Sequence, residues 1–246
     1  RMPSAPVCAF TLASQVSPVA AVWLADVTGD GVADFADFSA AAVRIRAGVA
    51  DGTWSATDTT VGVPAGWNLT FSLDTSRPSF ARLRPAGAAA DDLLALVQDA
   101  NGLRGLLVVK GVTLVATVTP LQTSGAFPAN AFSVIPPTGA AGAAIATWNE
   151  LDGTVDLFAY PPVASPATPL SPGLSTRSTI VDCVAGGDVD GDKVPDLIVT
   201  NFQLPASEVI LGDGDGGYGR RPHFTAPASA ASRVGDVDLD GRPDIV

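Results

Sequence analysis

Three stretches of this chain follow one nine-residue template: "DVTGDGVAD" at 26–34, "DVDGDKVPD" at 188–196 and "DVDLDGRPD" at 236–244. Each places Asp at positions one, five and nine. The second and third add Asp at position three, where the first has Thr28. Carboxylates packed this closely repel one another, yet the second stretch runs straight into Leu197, Ile198, Val199 and Thr200, the pattern of a buried strand. An apolar segment also precedes each loop, as Ala20 to Leu24 do before the first. The unit is therefore strand, acidic hairpin loop, strand, and something must compensate the charge at its bend.

Worn copies of the unit fill the gap between the first and second loops. "RPAGAAADDLLALV" ends its loop at Asp92, and "IPPTGAAGAAIATW" does the same with Ala143 in the ninth position. Ninth positions thus fall at 34, 92, 143, 196 and 244, about every fifty residues. A third strand follows at a similar offset in "AVRIRAG", "GLLVVKG", "TVDLFAY" and "EVILGDG", with a fourth at "HFTAPAS" and an earlier one at "CAFTLAS". Four short strands at that period predict an all-β chain of four-stranded antiparallel β-propeller blades. The repeats are expected over 17–66, 67–125, 126–174 and 175–226, with a partial one at 227–246 and residues 1–16 as an outer strand of a neighbouring blade. A β-sandwich with Asp-rich turns is the competing fold, since Asp and Gly suit any hairpin, but it has no reason to keep its loops in phase. The alanine runs at 86–90 and 140–144 contain Gly and show no helical face.

Composition agrees and excludes several functions. The 25 glycines and 20 prolines in 246 residues favour short elements joined by turns. A net charge of −11 leaves no basic stripe for nucleic acid. Two isolated cysteines, Cys8 and Cys183, provide neither a disulfide framework nor a zinc spacing, and are read either as one bridge or as two small buried residues. No apolar run reaches the roughly 18 residues of a membrane span, so no membrane insertion is expected. The chain opens on Arg-Met-Pro-Ser and stops where a strand should begin, which suggests a piece of a longer protein that continues into further blades or domains.

Calcium is the cation this loop suits, because it takes about six to eight oxygens from flexible ligands. Alternate residues in a tight loop point toward one centre. The expected ligands are Asp188, Asp190, Asp192, the carbonyl of Val194, and Asp196 in one loop. The same scheme gives Asp236, Asp238, Asp240, the carbonyl of Arg242, and Asp244 in the last. In the first it gives Asp26, Thr28, Asp30, the carbonyl of Val32, and Asp34. About three Ca2+ sites follow. An EF-hand competes poorly: position six is Lys193, position twelve is Val199, and Asp37 falls twelfth only inside a predicted strand.

On these residues the chain resembles the FG-GAP or VCBS repeats of integrin-α-like β-propellers, whose calcium loop lies between the first two strands of a blade. "GDGDGGYGRRPHF" (212–224) and "VADGTW" (49–54) are similar to that family's turn between the third and fourth strands. In the worn loops Arg84, Ala86 and Ala88, and Ile135, Pro137 and Gly139, stand at the ligand positions, so no metal is expected there. Family propellers usually have seven blades, which this length cannot hold; the resemblance implies an open arc or incomplete ring of four to five repeats.

No catalytic centre is expected. His223, the one histidine, is read as a surface loop residue beside Arg220 and Arg221, with no Ser or Cys at motif spacing. Carboxylates that recur with every repeat are the wrong pattern for a single glycosidase site. Arg44 and Arg46 read as solvated edge charges, and Trp54, Trp67 and Trp148 as blade packing, with sugar stacking the alternative. "NLT" at 68–70 matches a glycosylation acceptor. The expectation is a calcium-binding, non-enzymatic recognition or adhesion segment, secreted or at the cell surface, with a protein or glycan partner. The competing class is a lectin-like propeller, or one accessory to a polysaccharide-active enzyme such as a lyase.

Overall fold

The computed structural model describes residues 21–39, 41–70, 80–85, 87–125, 128–135, 143–149, 153–162, 164–167, 169–176, 183–200, 206–214, 217–219, 223–225, 234–238 and 244–245. Among them all regular structure is strand. The first sheet runs β1 (Ala21–Ala25), β2 (Asp34–Ser39), β3 (Ala42–Arg46), β4 (Thr59–Gly62) in that spatial order. The second holds β5 (Trp67–Leu69) and β6 (Phe80–Leu83), then β7 (Asp92–Asp99), β8 (Arg104–Lys110) and β9 (Val115–Pro120). The third is β10 (Ala131–Ile135), β11 (Ala144–Asn149), β12 (Thr154–Ala159), β13 (Ser171–Ser175). The fourth is β14 (Cys183–Gly187), β15 (Asp196–Thr200), β16 (Ala206–Ile210), β17 (His223–Thr225), and β18 (Val234–Gly235) pairs with β19 (Asp244–Ile245) in a fifth. Every pairing within the sheets is antiparallel. These are β-propeller-type blades, and among the described residues they are not closed into a ring.

The ninth position of four loops is the first residue of a strand: Asp34 opens β2, Asp92 β7, Asp196 β15 and Asp244 β19. Successive sheets stack face to face, which is why strands such as "DLLALV" lack a polar side. Leu93, Ala95 and Val97 of β7 join Val43, Ile45 and Phe38 of the first sheet. The alternating Leu94 and Leu96 join Phe132, Ile145 and Phe158 of the third. Farther along, Trp148, Val155 and Leu157 meet Val184, Leu197 and Val199. Ile198 and Val209 face Ile245. A fully buried Leu, Ile or Val contributes about 1.5–3 kcal/mol, so each inter-sheet layer of this kind is a substantial contribution to holding its neighbours in place. Gaps between sheets are bridged by main chain as well: Leu121 pairs with Ala167, and the Gln122 N–H donates to the Ala167 carbonyl at 3.0 Å.

The second repeat is longer because its inner strand is split. Leu69 pairs with Val97 and Phe80 with Ala95, so β5 and β6 lie end to end along one edge of β7. Arg44 and Arg46 are not edge charges. β3 is an interior strand, Arg44 lies opposite Asp37 and donates its Nε to that carboxylate at 3.2 Å, and Arg46 grips Asp58 with both Nε and Nη2. Their charge is satisfied across the sheet, which allows strands on both sides. His223 is the first residue of β17 and not a turn residue; Arg220 and Arg221 lie outside the described residues, as does Cys8.

Candidate metal centre

The intact loops are folded by their own carboxylates acting on main-chain N–H groups. In the first, Asp26 Oδ1 accepts from Gly29 N at 2.8 Å and Asp30 Oδ1 from Val32 N at 2.8 Å. Asp34, fully buried, accepts from Val27 N and Thr28 N at 2.7 and 2.8 Å on one oxygen, and from Gly48 N at 3.0 Å on the other. The loop at 188–196 repeats the scheme. Asp188 takes Gly191 N at 2.7 Å and Lys193 N at 2.9 Å, and Asp196 takes Val189 N at 2.7 Å and Gly212 N at 2.9 Å. In the last loop Asp244 likewise takes Val237 N at 2.8 Å. The ninth aspartate is therefore a staple, tying the start of its loop to the glycine that follows the third strand. The worn second loop keeps this part, since Asp92 Oδ1 accepts from Gly111 N at 2.9 Å.

That glycine is required for space. A Cβ on Gly48 would lie 2.3 Å from the Ala33 carbonyl oxygen and 2.8 Å from Val32 Cγ1. On Gly212 it would lie 2.5 Å from the Pro195 oxygen and 2.6 Å from Val194 Cγ1. The position-seven valines thus pack their side chains on the glycine. Positions four and six turn left-handed: Gly29 and Gly31 have φ of 80° and 84°, and Gly191 and Lys193 have 86° and 70°. Lysine in that region is strained, because its Cβ crowds the carbonyl that follows.

Two sets of carboxylates converge among the described residues. Oxygens of Asp188, Asp190 and Asp196 lie within 4.8 Å of one another, and so do those of Asp236, Asp238 and Asp244. Asp192 is not in the first set; its Oδ1 accepts from Val194 N at 2.7 Å. Asp240 and Arg242 lie outside the described residues. Asp26, Asp30 and Asp34 do not form such a set, and the Thr28 hydroxyl faces Asp34 Oδ1 at 3.4 Å. Asp188, Asp190, Asp192 and Asp196 form no ion pair among the described residues. Burial pushes the Asp196 carboxyl up, and Asp190 and Asp192 add to the shift. Tyr218, partly buried and near Asp196 and Asp213, is pushed up to about 12. An uncompensated, partly buried trio of hard oxygens is a donor set that fits calcium.

The first loop is surrounded differently, by residues the repeat pattern did not mark as functional. Arg84 Nη2 donates to Asp26 Oδ2 and its Nε to Asp91 Oδ1, both at 2.8 Å. At the next junction Lys110 Nζ donates to Asp92 Oδ2 at 2.7 Å and the Tyr160 hydroxyl donates to the same oxygen. Burial and the Asp92 carboxylate hold Tyr160 in its protonated form. The only hint in the sequence was that Arg84 and the Asp91–Asp92 pair fall inside a loop stripped of its ligands. Of the tryptophans, Trp148 is core and Trp67 packs on Gly105, while Trp54 stands half exposed with its ring edge-on to Phe35. Both expected turns after a third strand are present, closed by the pairs Gly48–Trp54 and Gly212–Tyr218.

Comparison with known proteins agrees with this geometry. Residues 188–246 match the FG-GAP-like repeat model. Among solved structures, the chain is similar to an Agrocybe aegerita lectin that recognises non-reducing terminal N-acetylglucosamine, at 18% identity and a TM-score of 0.54, over 83% of this chain and 51% of the lectin. It is also similar to the Photorhabdus luminescens Tc holotoxin pore, at 17% identity and a TM-score of 0.51, over 95% of this chain and 11% of that one. The chain spans about half the length of the first of these structures and a far smaller share of the second. No curated protein matches it. The FG-GAP-like match over residues 188–246 and the fold shared with these structures agree on a chain built of β-propeller-type blades.

Proposed function

We propose that this chain is a calcium-stabilised, non-catalytic scaffold for recognition or adhesion within an exported protein. The observation that carries the reading is the pair of carboxylate trios, Asp188/Asp190/Asp196 and Asp236/Asp238/Asp244, each at the bend from which a strand departs. When bound, calcium supplies the positive charge that offsets their repulsion. The chain's own contribution is to aim them: Gly191 and Lys193 N–H groups hold Asp188, and Val189 and Gly212 N–H groups hold Asp196 at the root of β15. Sites of this kind bind with Kd of about 10⁻⁴–10⁻³ M in extracellular modules, and would stand unfilled in a cytosol of submicromolar calcium. That affinity range is the argument for export.

The non-catalytic part of the reading rests on the recurrence of the acidic loop in several repeats, with no Ser or Cys at motif spacing from His223. The partner is a protein or a glycan, and the fold shared with a lectin makes glycans the first class to screen. Isothermal titration with calcium and melting in chelator against millimolar calcium test the metal; a glycan array tests the ligand. Calcium should raise the melting temperature, and Asp190→Ala should remove much of that response. Identical melting in excess chelator and in millimolar calcium would end the calcium reading.

A further inference from the structure

Arg84 occupies position one of a loop that has lost its ligands, and its guanidinium reaches across to the neighbouring loop. There it binds Asp26 Oδ2 and Asp91 Oδ1, each at 2.8 Å. Asp91 is locked to Asp26 by main chain as well: Asp91 N donates to the Asp26 carbonyl at 2.7 Å, and Asp26 N donates to Asp91 Oδ2 at 3.0 Å. Arg82 Nη1 lies 3.6 Å from that same Asp91 oxygen and donates to the Leu24 carbonyl at 3.2 Å. Two carboxylates thus meet two guanidiniums between the first and second sheets. The carboxylate side chains of Asp26 and Asp91 are nearly buried, at 10% and 7% exposed, so their charges have little water to screen them.

This arrangement disagrees with a metal in the first loop. Asp26 is the position-one ligand of the scheme, and both its oxygens are committed, one to Gly29 N and one to Arg84. Asp34 is bonded to Val27, Thr28 and Gly48 N–H groups as Asp196 is to its own, so the difference lies in the guanidinium on Asp26. The carboxylates do not converge as they do in the two C-terminal loops. A divalent cation placed against Asp26 Oδ2 would also meet the arginine's like charge at contact distance. From this geometry we infer that Arg84 is the resident cation of the first loop, that this loop takes no calcium, and that metal dependence is confined to the loops at 188–196 and 236–244. The loss of ligands in the second loop and the silence of the first are then one substitution read from two sides. Loop one is moreover docked without metal: Val112 N donates to the Val27 carbonyl at 2.7 Å, and Gly29 sits so close that a Cβ would lie 3.1 Å from Val112 Cγ2.

The inference rests on the proposed calcium binding only for the number of ions. Titration calorimetry and metal analysis on the full chain should give two ions, a number that Asp26→Asn leaves unchanged and Asp188→Asn reduces by one. Hydrogen exchange over 21–46 should not slow on adding calcium, whereas exchange over 183–200 should. Arg84→Met should melt several degrees below the parent in chelator, and Arg84→Lys, which keeps the charge, should recover part of the loss. An ion lost in Asp26→Asn, calcium protection over 21–46, or an Arg84→Met variant that melts like the parent in chelator would each overturn the inference. Should the parent bind no calcium at all, the proposed function fails, and the Arg84 variants in chelator still decide the matter of the clamp.

Discussion

Asp190→Asn should make the protein more stable when calcium is withheld. Oxygens of Asp188, Asp190 and Asp196 lie within 4.8 Å of one another, and among the described residues no cationic side chain pairs with any of them. At that separation each of the three pairs repels by about 1 kcal/mol at the dielectric of water and about 3 kcal/mol at an effective value of ~20. Asp190 is exposed, so the lower figure applies to the pairs it makes. Asparagine keeps the oxygen that accepts from Asp192 N at 3.2 Å and removes both of Asp190's repulsions. The relief is about 1–2 kcal/mol, trimmed to about 1 by salt at physiological strength. Calcium reverses the advantage. At about 10 mM and a Kd of about 10⁻⁴–10⁻³ M, the intact loop gains roughly 1.4–2.7 kcal/mol, and losing a carboxylate ligand weakens it about tenfold. Urea or thermal denaturation should therefore show the variant ahead by about 2–4 °C in chelator and level with the parent in calcium. A variant that melts below the parent in chelator would refute the reasoning, because it would mean that the trio does not strain the apo fold.

Three further outcomes follow from the same packing. Gly48→Ala should cost about 3 kcal/mol, since its Cβ meets the Ala33 carbonyl oxygen at 2.3 Å, while Gly62→Ala, with open space around it, should change stability by less than about 0.5 kcal/mol; equilibrium denaturation compares the two. Arg104→Met should stabilise by about 1–2 kcal/mol, because Nε and Nη1 of Arg104 are buried without partners among the described residues and burial already pulls its pKa down. Alkaline titration at the tyrosinate band should show neither of the two tyrosines ionising near the usual 10: burial holds Tyr218 at about 12 and Tyr160 higher still. Both folded pKa values are raised, so this contribution to stability is intact below pH ~10 and lost as pH climbs through the folded values.

Much of the architecture was written locally. The ninth-position aspartates mark strand starts because a carboxylate there staples the loop to the coming hairpin, a job that needs only nearby N–H groups. The unbroken apolar runs of β7 and β15 mark strands buried on two sides. What escaped was whatever depends on partners far along the chain. Arg84 finds Asp26 across 58 residues and Tyr160 finds Asp92 across 68, and no local pattern encodes such a meeting. Arg44 and Arg46 looked like edge charges for a different reason: their partners Asp37 and Asp58 are near in sequence, but only the folded hairpins bring them into contact. Loops built on one template therefore differ in their surroundings: the first faces guanidinium groups, while the carboxylates of the other two converge on one another.

The divided inner strand of the second sheet has a practical side. Residue 69 is anchored at Val97 and residue 80 at Ala95, with the Thr70 N–H donating to the Leu96 carbonyl between them at 3.1 Å. The two flanks are thus pinned two residues apart on β7, each by its own pairing with that strand. Foreign sequence, such as an epitope or a fluorophore tag, should be graftable there at a closure cost that grows only logarithmically with its length.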